Sequence, residues 1–361
     1  KAQLLEQLGR WDESRTELVS IASAPDSPPG MQSLLIEKLI SHQELDSARI
    51  WLKTLADRLP DAPIVSVLQA RLALADNDRP AAVAATRKLM PGDSPSPEVA
   101  ARLGPLSAFL EELGFSAAAD QTFSQFAAAS ADGVVARAGF LGRAQRADEA
   151  LDLLEASWDK IPLENLLRTA VTVVGSPGGS VTPQQLQRIA DWFAKARRLD
   201  PDSPRLAMLY ADFVGMTGSP ADVVAIYREV LARTDLSAQQ AAVAANNLAV
   251  HLAEPETAAE AEKLVATAMA EMGPHPDVLD TRGIVRLAQG KSRDSLEDLR
   301  EAVLVPSATK YIHLASALVA EQQLDEARKA FAEAKKLGFT TRQLSAGDRR
   351  LVKDLETALG Q

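Results

Sequence analysis

The stretch Lys310–Gly338, KYIHLASALVAEQQLDEARKAFAEAKKLG, reads as two amphipathic helices joined by a short polar turn. The first helix is apolar at Tyr311, Leu314, Ala315 and Leu318, the spacing of one helical face. Gln322 and Gln323 mark the turn, and the second helix follows with Leu324, Ala327, Phe331 and Ala334. Ala327 is small enough to let the two helices approach closely. A larger side chain there would overpack the contact by about 1–3 kcal/mol. Asp325 and Glu326 in the first turn and Lys335 and Lys336 in the last complement the helix dipole, and Gly338 supplies the stop.

The same unit recurs upstream. Aligning on the small residue near the start of each second helix gives Ser14, Ala48, Ala82, Ala119, Ala150, Ile189, Val223, Ala261, Ser295 and Ala327. Most separations lie close to 34 residues, with extremes of 31 and 39. Four residues after each marker comes a larger apolar residue (Leu18, Leu52, Phe123, Leu154, Phe193, Tyr227, Val265, Leu299, Phe331), with Thr86 the weak member. Ala196, Ala268, Ala302 and Ala334 follow three further on, and Pro60, Pro91, Pro201 and Pro306 close units.

With two helices per unit and this period, the chain resembles the tetratricopeptide repeat (TPR) family over essentially its whole length, as about ten repeats. The expected fold is all-α: a right-handed α-solenoid of stacked antiparallel helix pairs with a C-terminal capping helix. The organisation expected is repeats over residues 1–175, the first truncated, an irregular loop at 176–182, repeats over 183–338 and the cap at 339–361. The loop interrupts the sixth unit with Gly175, Ser176, Pro177, Gly178, Gly179, Ser180, Val181 and Thr182. Pro91–Pro97, rich in Pro and Ser, reads as a turn between units. The final helix is expected over Leu344–Leu359, with Leu344, Leu351, Leu355 and Leu359 on one face and Arg349, Arg350, Lys353, Asp354 and Glu356 facing outward. Ser345 and Asp348 form a capping-box pattern at its start. At the other end the stripe Leu4, Leu5 and Leu8 has no neighbour in the sequence to cover it. A longer natural chain, or self-association through this end, is the expectation.

Composition narrows the function classes. Aromatics are 4% of the 361 residues, which suits many small helix–helix contacts better than one large core. The net charge of −10 opposes binding to nucleic-acid phosphates and to anionic membrane surfaces. With no cysteine, disulfides and thiolate metal sites are excluded. No run of apolar residues is long enough to span a bilayer, and the compartment stays open.

Motifs for chemistry are thin. His42, His251, His275 and His313 are scattered, so no metal-ligand spacing arises and no cofactor is implied. Gly175–Ser180 lacks the Gly-Lys-Ser/Thr ending of a phosphate loop. Asp76-Asn77-Asp78 opens like a calcium loop, but Pro80 stands where a ligand should, so it reads as an interhelix turn. Ser157–Lys160 and Ser307–Lys310 match a Ser-x-x-Lys spacing without its companion motifs. Trp11, Trp51, Trp158 and Trp192 fall on second helices and read as packing between neighbours.

The resemblance implies that the first helix of each repeat lines a concave groove for a partner polypeptide. Repeat phase places Glu37, Arg71, Glu111, Arg143, Arg205, Met208, Asp212, Asn246, Asp280 and His313 towards that groove, with Asn247 beside them and Lys310 at its edge. Asn side chains offer a donor and an acceptor to a peptide backbone. Only Asn246 and Asn247 resemble the set that clamps a C-terminal carboxylate, so a mixed-charge polypeptide is the expected partner. The implied role is a non-enzymatic protein-interaction scaffold. The alternative is the regulatory or docking portion of a larger enzyme or of a secretion or assembly machine.

Overall fold

The structure is a computed structural model that describes residues 1–7, 9–91, 102–176, 181–217, 220–339 and 344–360. Gly92–Pro97 of the expected turn, Leu8 of the N-terminal stripe and Pro177–Ser180 of the loop lie outside the described residues. Among those described there are helices and turns and no strand.

Two compact units divide the chain, Lys1–Gly133 and Val134–Gln361. The first holds the pairs α1 (Ala2–Gln7) and α2 (Trp11–Ala22), α3 (Pro29–Ser41) and α4 (Leu45–Arg58), α5 (Pro63–Ala75) and α6 (Arg79–Arg87), and α7 (Leu103–Glu112) and α8 (Ser116–Ala129). The second begins within α9 (Ala131–Arg143), which pairs with α10 (Ala147–Glu155). Then come α11 (Leu163–Gly175) with α12 (Pro183–Leu199), α13 (Pro204–Thr217) with α14 (Pro220–Leu231), and α15 (Ala238–His251) with α16 (Ala258–Met272). The pairs α17 (Pro276–Ala288) with α18 (Ser292–Ala302) and α19 (Ala308–Ala320) with α20 (Leu324–Leu337) precede a last helix, α21 (Ala346–Leu359). These are the ten pairs read from the sequence.

The markers explain why each pair closes. From Ser14 to Ala327, all ten are 1% exposed or less, each filling the contact between the second helix and its neighbours. The residues four places on are buried as well, including Thr86, whose hydroxyl is satisfied by the Val83 carbonyl within its own helix. One close approach is made by a glycine. A Cβ at Gly283 on α17 would lie 2.6 Å from Leu299 Cγ on α18, so no larger residue fits without displacing that leucine.

The turns inside repeats share a device. Gly9, Gln43, Asn77, Gly114, Gln145, Gly290 and Gln322 all have φ between 60° and 76°, each five residues before its marker. In the last repeat Gln322 N–H donates to the Val319 carbonyl and Gln323 N–H to that of Leu318, the paired bonds of a left-handed helix stop. A non-glycine residue at such φ costs roughly 1–2 kcal/mol, partly offset by the greater freedom glycine has when unfolded. Gln322→Gly is therefore expected to stabilise by about 0.5–1 kcal/mol, measured by denaturant titration. A loss of stability would contradict this reading of the turn.

Within the second unit, α11 packs on α13, α15 on α17, and α17 on α19. The second helices α12, α14, α16 and α18 each meet the first helices of their own and the following repeat. These contacts join α15, α17 and α19 in one inner row and α11 with α13 in another, and the burial of the first helices is broad: α15 and α17 bury residues all round, whereas α20 buries only Ala327, Ala330, Phe331 and Ala334.

α21 forms where the sequence places it. Ser345 Oγ accepts the Asp348 N–H and the Asp348 carboxylate accepts the Ser345 N–H, the reciprocal capping box. Its stripe buries Val352, Leu355 and Leu359, and Leu344 packs just before the helix begins. Its seat departs from the expectation of an end cap. It packs chiefly on α19 of the inner row and only lightly on α20. A second correction concerns Trp158, which lies in the turn after α10 and not on a second helix.

Candidate functional site

The sequence-derived groove residues fall into three groups. Arg71 on α5 pairs with Glu112 on α7 at 3.0 Å and lies over the Phe109 ring, all within the first unit. In the second unit Arg143, at the end of α9, is exposed. Arg205, in the first turn of α13, is also exposed, with Glu164 of α11 at 3.7 Å.

Asp212 and Asn247 form the second group. The Tyr227 hydroxyl on α14 donates to Asp212 Oδ1 at 3.1 Å and accepts Asn247 Nδ2–H at 3.1 Å. One buried phenol therefore ties α13 to α15. Burial and the adjoining Asp212 carboxylate both push the Tyr227 phenol above its ordinary pKa, so it remains a donor.

The third group corrects the sequence reading. Asn246, Asp280 and His313 are buried rather than lining an open groove, and His313 is only 1% exposed. Lys310 is buried too, with its ammonium 2.7 Å from Asp277 and donating to the Val305 carbonyl. For His313 the physical reason is α21, whose first turn meets it, while Lys310 is buried against Asp277 and the Val305 carbonyl. His313 Nδ1–H donates to Asp280 Oδ1 of α17 at 2.8 Å and Nε2–H to Asp348 Oδ1 of α21 at 2.9 Å. Carboxylates only accept, so both ring nitrogens carry protons and the ring is an imidazolium.

Arg350 of α21, assigned to the outer face by its spacing, is exposed and pairs with Glu254, which follows α15. Asp348, Arg350 and Glu254 are thus site residues that sequence reasoning missed. The capping box identified Asp348, but no sequence signal says which side chain a capping carboxylate meets next. Beside these contacts a cleft of about 410 Å³ remains, bordered by Val250, His251, Ile284, Leu287, Arg350 and Leu351.

The charges around His313 set its titration. Burial alone would push its pKa down, but Asp280 and Asp348 outweigh this and raise it to about 10. Burial would raise Asp348, but its bond to His313 and the Ser345 cap bring it down to about 2. Lys310, neutralised by Asp277, lies on the same helix. His251 near Asp348 is pushed down by burial, against that carboxylate, and stays uncharged at neutral pH. A raised histidine contributes stability that is complete below its unfolded pKa of about 6.5 and lost as pH rises to about 10. A lowered carboxylate contributes stability that is complete above about 4 and lost as pH falls to about 2. From His313 and Asp348 the melting temperature is expected to be highest between about pH 4 and 6.5 and to fall on both sides, with the lowered His251 working against stability as pH drops below about 6.5. A profile that rises from pH 6.5 to 9 would contradict the buried imidazolium.

Other motifs are spent on structure. Ser307 caps α19 by accepting the Lys310 N–H, and Ser157 lies buried in the turn just after α10. Asn77 occupies the left-handed turn position and Asp78 caps α6. Among the described residues no group of His, Asp and Glu is arranged to hold a metal ion, and no helix is long and apolar enough to cross a membrane. The tryptophans pack between neighbours: Trp11 stacks on His42 with ring centroids 3.8 Å apart, and Trp158 meets Trp192 edge-on at 5.9 Å.

No protein-family model matches the chain, and no curated protein does. Among solved structures it is similar to a chain of the APC/C Cut9–Hcn1 hetero-tetramer, at 14% identity and a TM-score of 0.48, covering 99% of this chain and 71% of that one. It is also similar to a tetratricopeptide repeat protein from Parabacteroides merdae, at 13% identity and a TM-score of 0.41, covering 82% and 98%. The yeast Tom70 matches at 12% identity and a TM-score of 0.38, covering 99% and 94%. Among the described residues, ten helix pairs spaced near 34 residues, each closed on a buried marker, make this a TPR-type repeat fold.

Proposed function

We propose that the chain is a non-enzymatic interaction scaffold whose inner helix row receives a polypeptide of mixed charge. The observation that carries this reading is the contrast along the row of the second unit. Arg143 and Arg205 are exposed on α9 and α13, whereas α19 further along is covered by α21. Open charges on a rigid helical row are what a polypeptide ligand pairs with, each contact adding a little to a multivalent whole. The net charge of −10 favours such a partner over nucleic acid.

Charge reversal tests the assignment. Arg143→Glu with Arg205→Glu is expected to cut partner recovery in affinity capture at least tenfold while leaving helix content and melting unchanged. Salt should weaken capture by the unaltered chain. Equal recovery by both chains would remove the inner row of α9 and α13 as the binding face.

A further inference from the structure

α21 sits in the wrong place for a helix that only seals an array. In the last repeats a first helix rests more on the second helix before it than on the preceding first helix, as α17 does on α16 and α19 on α18, whereas α13 rests slightly more on α11 than on α12. α21 differs from α17 and α19 in this respect, resting mainly on the first helix α19 and less on the second helix α20. Asp348 engages His313 of α19, and through it Asp280 of α17. Arg350 engages Glu254 beyond α15. Gly347 lies 3.6 Å from that carboxylate when given a Cβ, so the first turn of α21 is seated against it. Val352, Leu355 and Leu359 then bury one apolar stripe.

We infer that the inner face of α15, α17 and α19 is a helix-binding site, that α21 occupies it from within the chain, and that a partner's amphipathic helix of the same design displaces α21 to bind. The site defines that design. His313, already paired with Asp280, requires a second carboxylate, and Glu254 requires a cation two residues further along. Apolar residues belong four, seven and eleven places after the carboxylate, as Val352, Leu355 and Leu359 follow Asp348. Placed on a helix, these positions make one continuous stripe. The inference rests on the reading of the inner row as a polypeptide-binding face. It concerns a different part of that row from Arg143 and Arg205.

The chain has no cysteine, so spin labels can be placed uniquely at Glu256→Cys and Lys353→Cys, both exposed. The full chain is expected to give one short inter-label distance. A synthetic peptide of residues 344–360 is expected to add a longer, broad distance population. In the full chain carrying Asp348→Asn, that population should appear at a peptide concentration at least tenfold lower, because the internal helix has lost its hold on His313. A peptide carrying the same change should compete at least tenfold less well. Arg350→Ala, which alters a largely exposed side chain, provides a second weakened chain should Asp348→Asn disturb folding. A single short distance in both weakened chains at millimolar peptide would overturn the proposal and make α21 a fixed part of the fold. So would a doubled mass with exchanged α21 helices, which would assign the site to a second copy. Neither result bears on the charge-reversal experiment.

Discussion

Replacing His313 by leucine is expected to destabilise the chain by about 3–5 kcal/mol and to release α21 from the inner row. The side chain is 1% exposed and both ring nitrogens donate to carboxylates. Leucine fills much of the space but leaves Asp280 and Asp348 buried with no cation between them. An uncompensated buried charge, rather than a lost contact, dominates the cost. The sign of a compensating change follows. Adding Asp280→Asn and Asp348→Asn to His313→Leu removes both stranded charges, and part of the lost stability should return. Denaturant unfolding of the single and triple variants measures both effects. A loss below about 1 kcal/mol for His313→Leu would mean that the carboxylates are solvated and that α21 does not seal the histidine.

The second large effect belongs to packing. Phe331→Ala is expected to cost about 3–5 kcal/mol. Phe331 is fully buried in a cluster with Leu299, Ile312, Leu318, Ala334 and Leu355. Its ring therefore joins the last two repeats to α21, and no neighbour can collapse into the vacated volume without leaving its own contact. In a repeat array stability is a sum of repeat and interface terms, so the loss should appear as early unfolding of the last repeat rather than as a uniform shift. Hydrogen exchange resolved by segment reads this directly, with α19–α21 losing protection first. Leu304→Ser is the matched control. Leu304 is 78% exposed, and its replacement should change stability by no more than about 0.5 kcal/mol.

The repeat architecture was legible because one physical requirement is repeated ten times. Each helix pair needs a small residue where its helices touch and a larger apolar residue one turn on, and this pair of demands survives even where the rest of the unit is degenerate. Ile189 and Val223 are not small, yet they serve the same contact and are as buried as Ala327. The candidate site was legible only in part. Arg143 and Arg205 are exposed on first helices, as repeat phase implies. His313 and Asp280 also occupy first helices at the stated phase, but phase fixes only the direction a side chain points. What lies in that direction is decided by a helix more than thirty residues away in sequence, on the evidence of Asp348 meeting His313. The apolar stripe of α21 was visible, and so was its charged remainder. Nothing in a stripe distinguishes a helix laid on the end of an array from one laid along its inner row. The left-handed turns were likewise hidden at Gln43, Gln145 and Gln322, where glutamine holds a conformation that glycine would advertise.

The protonation state of His313 tests the account most directly. If α21 closes the inner row through an Asp280–His313–Asp348 bridge, nitrogen-15 NMR of the full chain at pH 8 should show both ring nitrogens of His313 protonated. Their protons should exchange slowly with water, and Asp348→Asn should speed that exchange. A His313 ring that is neutral at pH 8 and titrates near 6.5, like an exposed imidazole, would contradict the account.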